Sequence, residues 1–269
     1  MKVPVPALGT TLALERPAAR VVSLVSSATE TLFALGAGDA VVGVTPWCAR
    51  YVPGLAAPVV AEYVSGEAAA VAATRPDLVV ATDGVQLPLA RRLAAAGLPV
   101  FLLPVPRSRA GILENTVALG ALVGRVAGAR ALCDRLEAEC AELVRTAPAR
   151  RPRAYCELWF GAHVRRPGGL AFVHDLLWLA GLDPIHGDRA DAYERPDLDE
   201  VRRLAPEWVV VFSEPEHPVD AHALLAERGW DRDFAPRLAV STVDRGRNLI
   251  HDGPSFVETA RWLRGQIAR

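Results

Sequence analysis

An α/β protein of two Rossmann-like lobes joined by one long, rigid α-helix is what this sequence predicts, on three observations. Short apolar strand runs alternate with helical patterns in both halves of the chain. Between the halves no proline lies from Arg107 to Ala147, and apolar residues recur at three- and four-residue steps: Ile112, Leu119, Leu122, Val126, Leu132, Leu136, Cys140 and Leu143. Finally, Val71–Val80 and Val201–Val210 share one grammar, a helix, then Pro76-Asp77 or Pro206-Glu207, then a strand. One lobe design is used twice. The expected boundaries are 1–107 for the first lobe, 108–148 for the helical connection and 149–269 for the second lobe.

Taken in order, Arg20–Val25 reads as a buried strand, and Ser27-Ala-Thr-Glu30 has capping-box spacing at the start of a helix that ends at Gly36. Ala40–Val44 is a second strand. Thr45 to Gly66 is a long loop bearing Trp47, Cys48, Tyr51 and Tyr63. Glu67–Thr74 is a helix, Leu78–Ala81 a strand, and a helix then runs to Ala96 before the strand Pro99–Leu103. In the connection, Gly120, Gly124 and Gly128 each cost about 1 kcal/mol against alanine, so a break is expected at Gly124–Gly128, followed by an unbroken helix to about Ala147. The second half has a strand at Arg153–Leu158, a loop from Trp159 to Gly169 and a helix at Leu170–Ala180 stopped by Gly181. A long loop from Asp183 to Pro196 precedes the helix Leu198–Leu204 and the strand Trp208–Phe212. An acidic loop, Glu214 to Asp220, a strand at Leu238–Thr242 and an amphipathic helix from Ser255 follow. Strand–helix repetition of this kind implies parallel sheets covered on both faces.

Composition excludes several functions. At 269 residues and 51% hydrophobic, the chain can fill two ordinary domains. A net charge of −1 gives no electrostatic case for nucleic acid or an anionic membrane. The only lysine is Lys2, so there is no Walker A loop and no Schiff-base lysine. Cys48, Cys133, Cys140 and Cys156 show no CxxC spacing and read as buried thiols. Met1–Arg20 lacks the basic start and apolar run of a signal peptide, so the chain as written reads as cytoplasmic or as lacking its export segment.

Three stretches carry a resemblance: Arg20 to Gly36 (RVVSLVSSATETLFALG), Val41 to Thr45 (VVGVT) and Arg75 to Val80 (RPDLVV). With Gly97–Phe101, the long helix and Leu176–Gly181, they resemble the cobalamin-binding, BtuF-like branch of the helical-backbone substrate-binding proteins. Across most of the chain the order of these motifs is that of the family. The resemblance implies two α/β lobes bridged by one rigid helix, with the ligand in a cleft between them. It implies capture of a cobalamin-like corrinoid for an ABC-type uptake system, by a monomer outside the cytoplasm, with no covalent cofactor and no catalysis. Haem or an iron–siderophore is the alternative ligand.

In open α/β sheets, ligands sit at the carboxyl ends of the strands, and those loops hold the aromatics: Trp47, Tyr51 and Tyr63 in the first half, Trp159, Phe160 and Tyr193 in the second. By position, Trp47, Tyr63, Trp159 or Phe160, and Tyr193 match aromatic positions that contact corrinoid in the family. Aromatic rings offer a large apolar macrocycle much contact area; packing within their own lobe is the other reading. Trp178 and Trp208 lie on core patterns. Ser26 and Ser27 open a helix whose N–H groups could hold an amide or anion, or simply cap it. His251 precedes the last helix in a loop that faces the cleft in the family, and could contact the ligand or its metal. An anionic siderophore would draw on Arg50, Arg165, Arg166 and Arg247.

In the family, an outward acid on each lobe docks on permease arginines. Here the positions point to Glu67, two residues from the family position occupied by Ala69, and to Asp199 or Glu200. The alternative is that all three are helix N-terminal acids favoured by the dipole. The loop with Glu214, Glu216, His217, Asp220 and His222 could bind a metal, which would make a metal-dependent hydrolase; its spacing matches no familiar site and it has no nucleophile. An intracellular corrinoid carrier without a permease is the remaining class.

Overall fold

The computed structural model describes residues 1–268. The chain divides into two compact units: Met1–Pro106 with Ala110–Leu136, and Arg107–Arg109 with the chain from Glu137 onward. No sheet is shared between them among the described residues.

The first unit opens with an antiparallel hairpin, β1 (Lys2–Val5) and β2 (Thr10–Ala13). Prolines 4 and 6 hide it from a sequence reading, yet a two-stranded ribbon is all edge and tolerates a missing N–H. The parallel sheet follows: β3 (Val21–Ser23), α1 (Ser26–Ala34), β4 (Val41–Val44), α2 (Ala68–Ala73), β5 (Leu78–Thr82), α3 (Leu87–Ala95) and β6 (Val100–Leu103). Its order is β4-β3-β5-β6, the doubly wound pattern. Strands β3 and β5 are buried on both faces, as continuous apolar runs in a parallel sheet must be.

Helix α4 (Arg109–Leu122) and α5 (Val126–Arg145) are separated at residues 123–125, so the expected break falls at Gly124 but does not extend to Gly128, which lies inside α5. Gly124 is left-handed at φ +69°, and a Cβ there would lie 2.9 Å from the Pro17 ring. A Cβ on Gly120 would meet Ala129, so the two helices need both glycines to turn and pack closely. Helix α5 starts in the first unit and finishes in the second.

The second unit contains β7 (Arg153–Phe160), β8 (His163–Pro167), α6 (Phe172–Ala180), β9 (Asp183–Pro184), β10 (Tyr193–Glu194), α7 (Leu198–Leu204), β11 (Trp208–Ser213), α8 (Ala221–Glu227), α9 (Trp230–Asp233), β12 (Arg237–Ser241) and α10 (Phe256–Ile267). Strands β9, β11 and β12 complete a parallel set with β7, and β8 and β10 add an antiparallel edge. Helices α7, α8 and α9 cover the face bearing Tyr155, Val209 and Val211, and α6 packs with α10.

Several expectations are corrected. The stretch from Trp159 to Gly169 is not a loop: Gly161 turns the chain at φ +58° and β8 returns along β7. Two-residue strands, β9 and β10, interrupt the Asp183–Pro196 loop, and α8 and α9 fill the span after the acidic loop. Ser27 does not cap α1; the N-cap is Val25 with no side-chain cap bond, and Ser27 and Glu30 are buried inside the helix. Trp208 is core, but Trp178 is 41% exposed under the guanidinium of Arg151, 3.9 Å from the ring centroid. All four cysteines are free and buried. No described helix is long and apolar enough to cross a membrane.

Candidate functional site

The carboxyl edge of the first sheet is organised by a residue the sequence reading missed. Gln86 is fully buried beyond β5, where the strand order reverses between β3 and β5. Its Oε1 accepts the Thr82 N–H at 2.9 Å; its Nε2 donates to the carbonyls of Leu24 at 2.8 Å and Tyr63 at 2.6 Å. One amide thus ties the exits of β3 and β5 to the Tyr63 loop. Gln86 is the N-cap residue of α3, and nothing local in the sequence marks it.

Trp47 rides on a 3-10 turn, Pro46–Arg50, locked to α1 by a buried polar cluster. Thr29 Oγ1 lies within hydrogen-bond distance of Ser23 Oγ (2.8 Å) and Cys48 Sγ (3.1 Å), and Thr45 Oγ1 lies 3.4 Å from the same sulfur. Trp47 and Tyr63 are half-buried, whereas Tyr51 is buried. Arg50 stacks 5.1 Å from the Trp47 centroid. Ser26 is the half-buried first residue of α1. Around this edge Val59, Val64, Val85 and Val105 are exposed, leaving an apolar rim.

At the second sheet the register separates the predicted aromatics. Trp159 shares a face with Tyr155 and Glu157; Phe160 lies on the other, 6.3 Å from Phe212. Tyr193 pairs across β8 at Pro167, a position level with Cys156, on the Phe160 face. Burial, then Asp252, push the Tyr193 phenol above its ordinary pKa. Trp159, Phe160 and Tyr193 are half-buried, His251 is buried and Arg247 exposed. Ser241 Oγ accepts the Leu249 N–H at 3.1 Å and donates to the Arg247 carbonyl, pinning that loop to β12.

The four candidate arginines are not a free cationic set. Arg166 is buried and forks onto Asp191, Arg50 covers Trp47, and Arg165 bonds the Val164 carbonyl at 2.8 Å. Among the described residues no three His, Cys, Asp or Glu groups could hold a metal ion. In the acidic loop Glu214 accepts the Gly161 N–H at 3.0 Å, and Asp220 caps α8 by accepting from His222 and Ala223. Of the outward acids, Glu67 is exposed at the N-cap position of α2. Asp199 is exposed in the first turn of α7, 3.4 Å from Arg202, and Glu200 is engaged by Arg189 and His186. Asp197 is the residue that caps α7. Two grooves of about 430 and 500 Å³ lie at the amino edge of the second sheet, around Arg153, Asp183 and Leu204 and around Glu207, Trp208 and Arg237, away from the strand ends that hold ligands in such sheets.

Comparison with known proteins gives the lineage. Residues 21–233 match the periplasmic binding protein family. A cobalamin-binding protein of Halobacterium salinarum is 32% identical over 265 residues, spanning 94% of this chain and 70% of that one. Among solved structures, the periplasmic haem-binding protein HutB of Vibrio cholerae superposes with a TM-score of 0.78 at 16% identity, covering 93% of this chain and 99% of that one. A possible iron-binding, periplasmic solute-binding protein of Staphylococcus epidermidis gives 0.77 at 19%, covering 94% and 100%. The chain therefore belongs to the periplasmic binding protein family, as a substrate-binding protein of its helical-backbone class.

Proposed function

We propose that this substrate-binding protein captures a cobalamin-like corrinoid, for delivery to an ABC-type permease. The observation that carries the reading is the state of the predicted aromatics. Trp47 and Tyr63 lie on connections of the first sheet, near its apolar rim, and Trp159, Phe160 and Tyr193 on strands of the second; none of the five is fully buried. A corrin offers apolar ring area with amide fringes, which suits such surfaces. The 32% identity to a cobalamin-binding protein supports this ligand over others. Haem is the second reading, favoured by the fold of HutB. An anionic siderophore fits less well, because Arg166 and Arg50 are already engaged. Tyr51 and Ser27 back the edge from beneath; Ser26, Arg247 and His251 supply polar contacts. The protein acts as a monomer outside the cytoplasm, where the family works.

Titration with cobalamin, haem and a ferric catecholate separates the ligands. Cobalamin should bind, and Trp47→Ala and Tyr193→Ala should each weaken it by about 1–3 kcal/mol; binding of either rival with cobalamin inert refutes the choice. For docking, Glu67 and Asp199 are the exposed acids and Glu200 the engaged one. Reversing both exposed charges should abolish uptake with ligand affinity intact. Unchanged uptake would favour an intracellular carrier.

A further inference from the structure

Tyr155, Glu157 and Trp159 alternate along β7, so their side chains leave the same face of the sheet, under α7, α8 and α9. The Glu157 side chain is 0% exposed, and three donors converge on its carboxylate. The Tyr155 hydroxyl (2.6 Å) and the Arg228 guanidinium (2.7 Å) meet Oε1; the Trp159 indole N–H (3.1 Å) meets Oε2. Arg228 in turn lies 4.8 Å from the Trp230 centroid, and Trp230 packs edge-on against Tyr155.

Stability alone does not call for this arrangement. Apolar residues of similar volume in place of a buried ion pair are often as stable or more so. What the pair does provide is a fixed acceptor for one particular indole. Trp159 is the member of the ladder that reaches the carboxyl edge and stays partly exposed. Without Glu157 it could adopt other rotamers at the strand end, and a ligand would have to order it on binding, at a cost of up to about tenfold in affinity for such a side chain.

We propose that Glu157 is a positioning residue: clamped by Arg228, it holds the Trp159 indole in the one orientation that presents its open face to the flat macrocyclic ligand. This rests on the reading of Trp159 as a ligand contact. The geometry makes Glu157 a determinant of affinity without touching ligand.

The test is a mutant cycle on the full chain. Glu157→Leu with Arg228→Met removes both charges together, so that no buried charge is orphaned. Glu157→Gln with Arg228→Met returns an acceptor to the indole. Each pair is made with and without Trp159→Phe, and cobalamin affinity, or haem affinity should the wild type hold haem, is measured beside thermal unfolding. The Leu pair should bind about tenfold more weakly, and the Gln pair should recover most of that loss. In the Trp159→Phe background the two pairs should bind alike. Arg228→Lys keeps the charge and stands in if the Leu pair does not fold: it should weaken binding less, and again only when Trp159 is present. A Leu pair, or failing it Arg228→Lys, that binds like wild type, or loses the same factor without Trp159, overturns the proposal while leaving the functional reading intact. A wild type that binds neither cobalamin nor haem overturns both.

Discussion

At the amino edge of the first sheet Asp77 accepts the N–H groups of Ala19 and Arg20, at 3.0 and 2.9 Å, while Arg20 reaches back to the carbonyls of Thr74 and Arg75. The second sheet repeats the exchange: Glu207 accepts the Arg153 N–H at 3.1 Å, and Arg153 donates to the Leu204 carbonyl at 2.6 Å. In each unit an acid after Pro receives the start of the neighbouring strand, and that strand's arginine closes the preceding helix. The carboxyl edges share no such plan. The first is clamped by a neutral amide, Gln86, and rimmed with valines; the second by ion pairs, Glu157–Arg228 and Arg166–Asp191. What repeats builds the scaffold, and what differs is where the two units have been fitted to different surroundings.

The contrast in clamp chemistry predicts the largest effect. Arg228→Ala leaves the fully buried Glu157 carboxylate without its cation, which should cost about 3–5 kcal/mol. Gln86→Leu strands two carbonyls and one N–H, partly open to water through the Tyr63 loop, and should cost about 1–3 kcal/mol. Denaturant titration of both variants checks the order. Equal losses would mean that the ionic and neutral clamps are energetically the same device.

Acid should also separate the units. Burial, then the Arg166 guanidinium, hold the His186 imidazole below its ordinary pKa, against the pull of Glu200. The unfolded chain therefore takes up this proton first, below about pH 6.5; the stability is present above that value and is lost as pH falls toward the folded pKa. Asp191, hydrogen-bonded by Arg166, is held below the usual carboxylate range, so its contribution stands above about pH 4 and is lost below it. Both residues sit in the Asp183–Pro196 segment, between the two-residue strands β9 and β10. Hydrogen exchange at pH 5 against pH 7 should show β8 and β10 losing protection before β3 and β5, and His186→Phe should flatten the loss between pH 6.5 and 5. Uniform loss across both units would count against this assignment.

These comparisons also explain what the sequence could and could not disclose. Continuous apolar runs located β3, β5 and β11, as strands buried in a parallel sheet require. The Pro-acid repeat disclosed the amino edges because both partners of the device, Pro76-Asp77 and Pro206-Glu207, are local. Strand β8 stayed hidden because His163 and two arginines make it look like a loop; its pairing with β7 is a tertiary fact. Gln86 and Glu157 were missed for the same reason: their partners lie up to 62 and 71 residues away. Aromatic residues were legible as a set, but the split of Trp159 from Phe160 and Tyr193 depends on register, which a loop reading of Trp159–Gly169 could not supply.

The smallest effect concerns the joint between helix and strand, and it tests whether the scaffold device is one device. Arg75, Ala205 and Ala235 are left-handed, at φ 48°, 42° and 42°, and each lies between a helix end and a proline. The third was invisible in the two-fold repeat because Arg237, not an acid, follows Pro236. An L-residue in this region pays about 1–2 kcal/mol, which glycine avoids, though glycine loses more entropy on folding. Ala205→Gly and Ala235→Gly should therefore stabilise the second unit by less than about 1 kcal/mol each, and Arg75→Gly the first by a similar amount, since the Arg75 carbonyl that Arg20 uses is retained. Thermal unfolding of the three variants decides it. If the joints are equivalent, all three shift upward together. If Arg75→Gly alone destabilises, its side chain has a role that the second unit lacks, and the amino edges are alike in hydrogen bonding only.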